Sequence, residues 1–156
     1  MARRASQGEN EFMSDLVKRA EQFARKAHDG QFRRDGVTPY IMHVEKVVSL
    51  LKSSKWFYTD EMIAAAWLYD VVEDCDVPFS FIGMNFSFKV LDYVERLTRR
   101  KDESYEDFIS RIKLCDSASQ IKVADILANL SDNPTPKQVK KYSAALITLL
   151  FEKPAH

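Results

Sequence analysis

Residues 64–74 most constrain the fold of this chain, because they form an apolar helical stretch that ends abruptly in acidic side chains. Glu73 and Asp74 follow Asp70 by three and four residues, so on a continuous helix the three carboxylates lie on one face. Carboxylates this close raise one another's pKa. Acids at a helix C-terminus also oppose the macrodipole, so a helix that merely ends in water gains nothing from them. The cluster therefore predicts a functional site, in which a metal cation, a basic partner or a catalytic role accounts for the unfavourable repulsion between the carboxylates.

Apolar residues at helical spacing predict that the rest of the chain is helical as well. After a mobile leader at residues 1–10, the pattern favours one all-α domain over residues 11–156, with no strand alternation. The aromatic residues 56–58 are expected to form a packed loop, and residues 78–87 a short helix and turn. Helices are predicted at about residues 11–28, 40–53, 60–74, 86–98, 104–115 and 118–131, and from Pro136 onward.

Composition excludes several classes of partner. Lys plus Arg and Asp plus Glu number 23 each, so no net field attracts a polynucleotide or a membrane surface. The chain has no apolar run of about 18 residues, and its N-terminus lacks the apolar region of a secretory signal peptide. These features predict a soluble, cytoplasmic protein. Cys75 and Cys115 lack metal-like spacing and are expected to be reduced thiols.

Two further residues are candidates to act together with the acidic cluster. His43 stands near the start of a predicted helix, and Asp125 and Asn129 share one face of another. Alone, His43 and Asp125 would be read as structural or solvated residues. In this order, the segments resemble the HD-domain hydrolases of the RelA/SpoT-homologue type, the enzymes that remove the 3′-pyrophosphate from the alarmone (p)ppGpp, and the chain looks like a small, stand-alone member. The matching segments are Gly30-Gln31, Arg33-Arg34, Pro39-Tyr40-Ile41 with His43, Asp70-Val71-Val72-Glu73-Asp74, and Lys122-Val123-Ala124-Asp125 with Asn129.

The resemblance implies a single-domain HD helical bundle and a set of site residues. His43, Asp70 and Asp125 would bind a divalent cation, Mn²⁺ by preference, and Glu73 and Asp74 would position or deprotonate the attacking water. The nucleotide, ppGpp or pppGpp, would lose pyrophosphate and leave GDP or GTP. The residues that the resemblance implies for nucleotide binding are Arg33, Arg34, Lys122, Asn129 and Tyr142.

One position departs from the family pattern, because Tyr69 stands where the family has the histidine of its His-Asp pair. A neutral imidazole binds cations near pH 7, whereas a phenol with a pKa near ~10 must first lose its proton. Tyr69 is open to three interpretations: an engineered inactivating change, a natural change in a degenerate hydrolase that still binds nucleotide, or a tolerated ligand exchange. The third is the least favoured, because even changes behind the ligands cost about 10-fold or more in metal affinity.

Three functions therefore remain open at this stage. The first is metal-assisted hydrolysis of (p)ppGpp, slowed by Tyr69. The second is a catalytically inactive protein that binds the nucleotide in the same pocket. The third is a phosphatase for another nucleotide, such as NADPH.

Overall fold

The computed structural model describes the backbone of residues 7–151 and the side chains of residues 15–151. Within that part of the chain eight α-helices occur and no strands, which confirms the predicted all-α fold. One isolated bridge, between Phe32 and Pro39, closes the loop after the first helix. The helices are α1 (Gln7–Ala27), α2 (Ile41–Ser53), α3 (Asp60–Asp74), α4 (Phe79–Asn85), α5 (Phe88–Leu97), α6 (Tyr105–Lys113), α7 (Asp116–Leu130) and α8 (Pro136–Phe151).

Helix α1 begins earlier than its apolar stripe suggests. Its first residue is Gln7, so residues 7–10 are helical rather than part of a leader, and residues 1–6 of the predicted leader lie outside the described chain. Apolar periodicity places the start of α1 too late, because its first turns carry polar side chains.

Side-chain caps fix the starts of several helices. The hydroxyl of Thr59 accepts a hydrogen bond from the backbone N–H of Met62 at the start of α3. Helices α5 and α6 begin in the same way at Ser87 and Ser104. Thr135 and Gln138 exchange hydrogen bonds at the start of α8, where the Thr-Pro pair predicts the cap and first residue of a helix.

Helix α3 is the centre of the bundle. It packs against α1, α2, α5 and α7, and residues 62–69 are all buried. The run of alanines at residues 64–66 is completely buried, which lets neighbouring helices approach closely. Because α3 is covered on several sides, its last two turns deliver Tyr69 and Asp70 into the interior.

The aromatic loop at residues 56–58 differs from the prediction. Phe57 is 79% exposed, and Trp56 and Tyr58 are also exposed, so the loop is not packed into the core. The core is already filled from α2 and α3, which flank the loop and face inward with Leu51 and Met62. None of the helices in residues 7–151 is long and apolar enough to cross a membrane.

Candidate functional site

Three helices bring the predicted site residues together. His43 lies in the first turn of α2, Tyr69 and Asp70 lie in the second half of α3, and Asp125 lies in the middle of α7. The backbone N–H of His43 bonds the carbonyl of Tyr40, so the helix start fixes the direction of the imidazole. His43, Tyr69 and Asp125 are all buried.

The carboxylate of Asp125 is the centre of the site. Its Oδ1 accepts hydrogen bonds from the Tyr69 hydroxyl at 2.8 Å and from the Asn129 amide at 3.3 Å, and lies 2.9 Å from His43 Nε2. Its Oδ2 accepts from the Lys122 ammonium at 2.8 Å. Each carboxylate oxygen has about two lone-pair directions, so three donors share Oδ1, while Oδ2 keeps one lone pair beside the Lys122 ammonium.

Asp125 and Lys122 stabilise each other's charged forms. Burial alone would raise the pKa of Asp125, but Lys122 and His43 hold that pKa well below its ordinary value. Burial alone would lower the pKa of Lys122, and Asp125 raises it instead. Asp125 is therefore an acceptor only, and His43 must carry a proton on Nε2 to make its contact. In this tautomer, the Nε2 atom of His43 has no free lone pair for a cation.

Tyr69 is a neutral donor in this site. Burial raises the pKa of the Tyr69 phenol well above its ordinary value, and the neighbouring carboxylates of Asp125 and Asp70 raise it further. The phenol therefore stays protonated at neutral pH and keeps its hydrogen bond to Asp125.

Asp70 makes its hydrogen bond to Tyr40 rather than to a residue of this centre. Its Oδ2 accepts a 2.7 Å hydrogen bond from the Tyr40 hydroxyl. Burial raises the pKa of Asp70 to about 7, and the charge of Asp125 adds to the rise. The pKa of Asp70 is thus raised, as the spacing predicts, but burial contributes more to the rise than the negative charge of Asp74 does.

Glu73 and Asp74 lie at the exposed end of α3. Glu73 Oε1 accepts a 3.2 Å hydrogen bond from the backbone N–H of Arg99. Partial burial raises the pKa of the Glu73 carboxyl, and the negative charge of Asp74 adds to it. Asp74 lines an open recess together with Gln31, Phe32 and Tyr40.

The two loop arginines behave differently. Arg33 Nη2 donates to the Asn129 amide oxygen at 3.2 Å and pairs with Asp132 at 3.2 Å. Its guanidinium also stands 5.7 Å from the centre of the Tyr40 ring. Arg34 is exposed and makes no ion pair among the side chains of residues 15–151. Arg33 is therefore joined through Asn129 to Asp125, whereas Arg34 is not.

Tyr142 lies outside the contacts around Asp125. It is half-buried on α8, with the Lys141 ammonium 5.5 Å from its ring. Lys141 also stands 4.1 Å from the ring of Tyr105. The structure does not bring Tyr142 into contact with the other predicted site residues, so its role in nucleotide binding stays a prediction.

The site does not fit a divalent cation as its side chains are arranged. Both oxygens of Asp125 are engaged, His43 presents a proton, and Asp70 bonds Tyr40. Among the side chains of residues 15–151, no group of three or more His, Cys, Asp or Glu is placed to hold a metal ion. The predicted ligands His43 and Asp125 meet, but they meet as hydrogen-bond partners.

Sequence reasoning gave no role to two residues of the site. Tyr40 bonds Asp70, and its ring packs 5.9 Å from His43 and 4.9 Å from His28. Gln31 bonds the backbone carbonyl of Asp74 and the imidazole of His28. The spacing of Tyr40 three residues before His43 is a usable signal, because it predicts that the two rings share a face.

Comparison with known proteins identifies similar chains. The family model described as an HD domain matches residues 20–125. A protein of Xenopus tropicalis named guanosine-3′,5′-bis(diphosphate) 3′-pyrophosphohydrolase MESH1 is 32% identical over 126 residues, which is 75% of this chain and 69% of that protein. A Vibrio cholerae protein named guanosine-3′,5′-bis(diphosphate) 3′-pyrophosphohydrolase is 34% identical over 84 residues.

The solved structure of a metazoan orthologue of SpoT, described as hydrolysing ppGpp and acting in starvation responses, is also similar. Its TM-score is 0.73 at 25% identity, and the match covers 99% of this chain and 91% of that one. The Vibrio match covers 54% of this chain but only 12% of the bacterial protein, so the two share one segment of a much longer polypeptide.

Proposed function

Because this chain belongs to the HD-domain family, we propose that it acts on guanosine (p)ppGpp as a 3′-pyrophosphohydrolase, at a rate that Tyr69 keeps low. The reaction releases pyrophosphate and leaves GDP or GTP. The named activity of its MESH1-type relative and the similarity of the two chains over most of their lengths support this substrate.

The observation that carries the proposal is the continuous line of polar contacts from Lys122 through Asp125 and Asn129 to Arg33. The three links are 2.8, 3.3 and 3.2 Å long. They join a buried ammonium to a guanidinium that stands beside an aromatic ring. A guanidinium binds phosphate through paired N–H groups and stacks on flat rings, so this end of the line suits a nucleotide.

The chemistry assigned to the chain's own residues is proton transfer and charge stabilisation. Glu73 is the general base, since its carboxylate lies at the rim of the site with a raised pKa. It takes a proton from the water that attacks the phosphorus bonded to the 3′ oxygen. That P–O bond breaks, the 3′ oxygen takes the proton that Glu73 received, and pyrophosphate leaves. Arg33 holds phosphate oxygens, and Asp74 helps to position the water.

The cation of HD hydrolases contributes Lewis-acid activation of the phosphoryl group and of water. We propose Mn²⁺ as the ion that a chain with histidine at position 69 would bind. The chain as it stands does not offer that ion its ligands, and this is the reason for the low rate. We also place the reaction in the cytoplasm, which the two unpaired cysteines of the described chain support.

A second candidate is nucleotide binding without turnover. The hydrogen bond between Tyr69 and Asp125 favours it, because this bond occupies the carboxylate that the family's cation would use. The two candidates agree on the ligand and differ only in whether the ester bond is cleaved.

Release of pyrophosphate from ppGpp tests the proposal. We would compare this chain with Tyr69→His at saturating Mn²⁺, and run GTP and NADPH as alternative substrates. A slow release from ppGpp that Tyr69→His accelerates supports the hydrolase. Binding of ppGpp with no release by either chain supports the second candidate, and release of phosphate from NADPH alone would move the activity to another nucleotide.

A further inference from the structure

The contacts of Asp125 leave no lone pair free on Oδ1, and the one that remains on Oδ2 lies beside the positive charge of Lys122. Three donors meet Oδ1 and an ammonium meets Oδ2, and Asp125 is only 5% exposed, so water cannot replace any of them easily. The Lys122 ammonium supplies the positive charge that a buried carboxylate requires. Tyr69 supplies a short neutral donor on the side where the family pattern has a metal-binding imidazole.

Opening this arrangement for a cation is costly. Tyr69 is only 4% exposed, so a displaced hydroxyl would stay buried without a partner. Such a group costs about 1–3 kcal/mol. His43 would also have to move its proton from Nε2 to Nδ1. A divalent ion at Asp125 would further lie close to the Lys122 ammonium and be repelled by it.

We propose that Tyr69 and Lys122 together take the place of the divalent ion, so that this chain binds its nucleotide without a metal. The nucleotide in this statement rests on the proposed function. The exclusion of the cation rests on the contacts of Asp125 alone, and the two parts are tested separately.

The first experiment titrates Mn²⁺ into the full chain without nucleotide, followed by electron paramagnetic resonance of the free ion. The variants are Tyr69→His and, as a matched control for an added surface histidine, Tyr58→His, since Tyr58 lies in the exposed loop. Tyr69→His should bind one Mn²⁺ at least about 100-fold more tightly than the unchanged chain or Tyr58→His. Adding Asp125→Asn to Tyr69→His should abolish that binding.

The second experiment measures ppGpp binding by calorimetry in EDTA and in Mn²⁺. The unchanged chain should show the same Kd, within about 2-fold, in both buffers. Tyr69→His that also carries Glu73→Gln, which removes the proposed general base and so slows turnover during the titration, should bind ppGpp at least about 10-fold more tightly in Mn²⁺ than in EDTA, because the bound ion then adds charge to the site. Circular dichroism melts of each variant confirm that it is folded before binding is compared.

The outcomes separate the two ideas. Tight binding of one Mn²⁺ by the unchanged chain, lost in Asp125→Asn, overturns the cation-free site whatever the nucleotide does. A loss of ppGpp binding in EDTA by the unchanged chain overturns it as well. If neither chain binds ppGpp in any buffer, the proposed function fails, while the Mn²⁺ titration still decides the cation part.

Discussion

Tyr69 donates a 2.8 Å hydrogen bond to Asp125 across 56 residues of sequence, and this bond joins the end of α3 to the middle of α7. Both residues are at most 5% exposed. The relationship explains how the carboxylate that the resemblance predicts as a metal ligand can remain buried here in a stable form. The first prediction concerns Lys122, whose ammonium bonds the other oxygen of the same carboxylate.

Lys122→Met should destabilise the fold by about 3 kcal/mol, because it leaves the buried charge of Asp125 without its ionic partner. Chemical denaturation followed by circular dichroism measures the loss. Lys137→Met is the control, since Lys137 is an exposed lysine and its replacement should change stability by less than ~0.5 kcal/mol. Equal stability of the two variants would contradict the network described around Asp125.

Glu73→Gln should lower kcat for ppGpp by about 100-fold when it is placed in the Tyr69→His chain, because the general base is lost while the shape is kept. KM should change little. Asp76→Asn serves as the control, because Asp76 is exposed and has a backbone φ of 56°, a conformation that asparagine also accepts. A comparable rate in the Glu73→Gln chain would remove Glu73 from the mechanism.

Arg33→Gln should weaken ppGpp binding by about 10-fold, which corresponds to the loss of one charged hydrogen bond. Arg34→Gln should weaken it by less than ~2-fold, because Arg34 is exposed and is not joined to Asn129. Calorimetric Kd values for the two variants give a matched comparison. An equal loss from both would return Arg34 to the set of binding residues.

Glu103→Gln should reduce stability by about 1 kcal/mol at pH 7. Arg111 pairs with Glu103 at 2.7 Å and holds the pKa of Glu103 at about 2. A carboxyl with a lowered pKa stabilises the fold above its unfolded pKa near ~4.3, and this stabilisation is lost as the pH falls toward 2. The stability difference between the two chains should therefore shrink between pH 5 and pH 2, in urea titrations at each pH. A difference that is constant with pH would rule out this ion pair as its source.

Leu68→Ala should lower the free energy of unfolding by about 2–5 kcal/mol. Leu68 is completely buried in the central helix, so removing its side chain leaves a cavity. Phe57→Ala should cost less than ~0.5 kcal/mol despite its larger side chain, since that ring is 79% exposed. Thermal melts of both variants measure the contrast. A large loss from Phe57→Ala would mean that the aromatic loop packs after all.

Periodicity predicted most of this fold, because a helix shows its buried face as a repeat in the sequence. The Thr135 and Pro136 pair located the start of α8, and the spacing of Asp125 and Asn129 correctly placed both on one face. The aromatic loop at residues 56–58 was predicted wrongly. Hydrophobic character favours burial, but it does not say whether the neighbouring helices leave room in the core.

Only part of the site could be predicted from the sequence. The resemblance brought His43, Tyr69, Asp70 and Asp125 together, and the structure places three of them in contact. The hydrogen-bond partner of each polar atom could not be predicted, because it depends on side-chain directions across helices that are distant in sequence. The bond from Tyr40 to Asp70 is one example, since nothing in the spacing says which carboxylate a tyrosine 30 residues away will choose.

The satisfied carboxylate of Asp125 has an evolutionary consequence. Histidine and tyrosine codons differ by a single base, so a histidine at position 69 and the present tyrosine are one mutation apart. Because the tyrosine hydroxyl bonds the same buried carboxylate, such a change leaves no orphaned charge that selection would have to repair. The exchange of one residue for the other at position 69 therefore does not have to pass through an unstable protein.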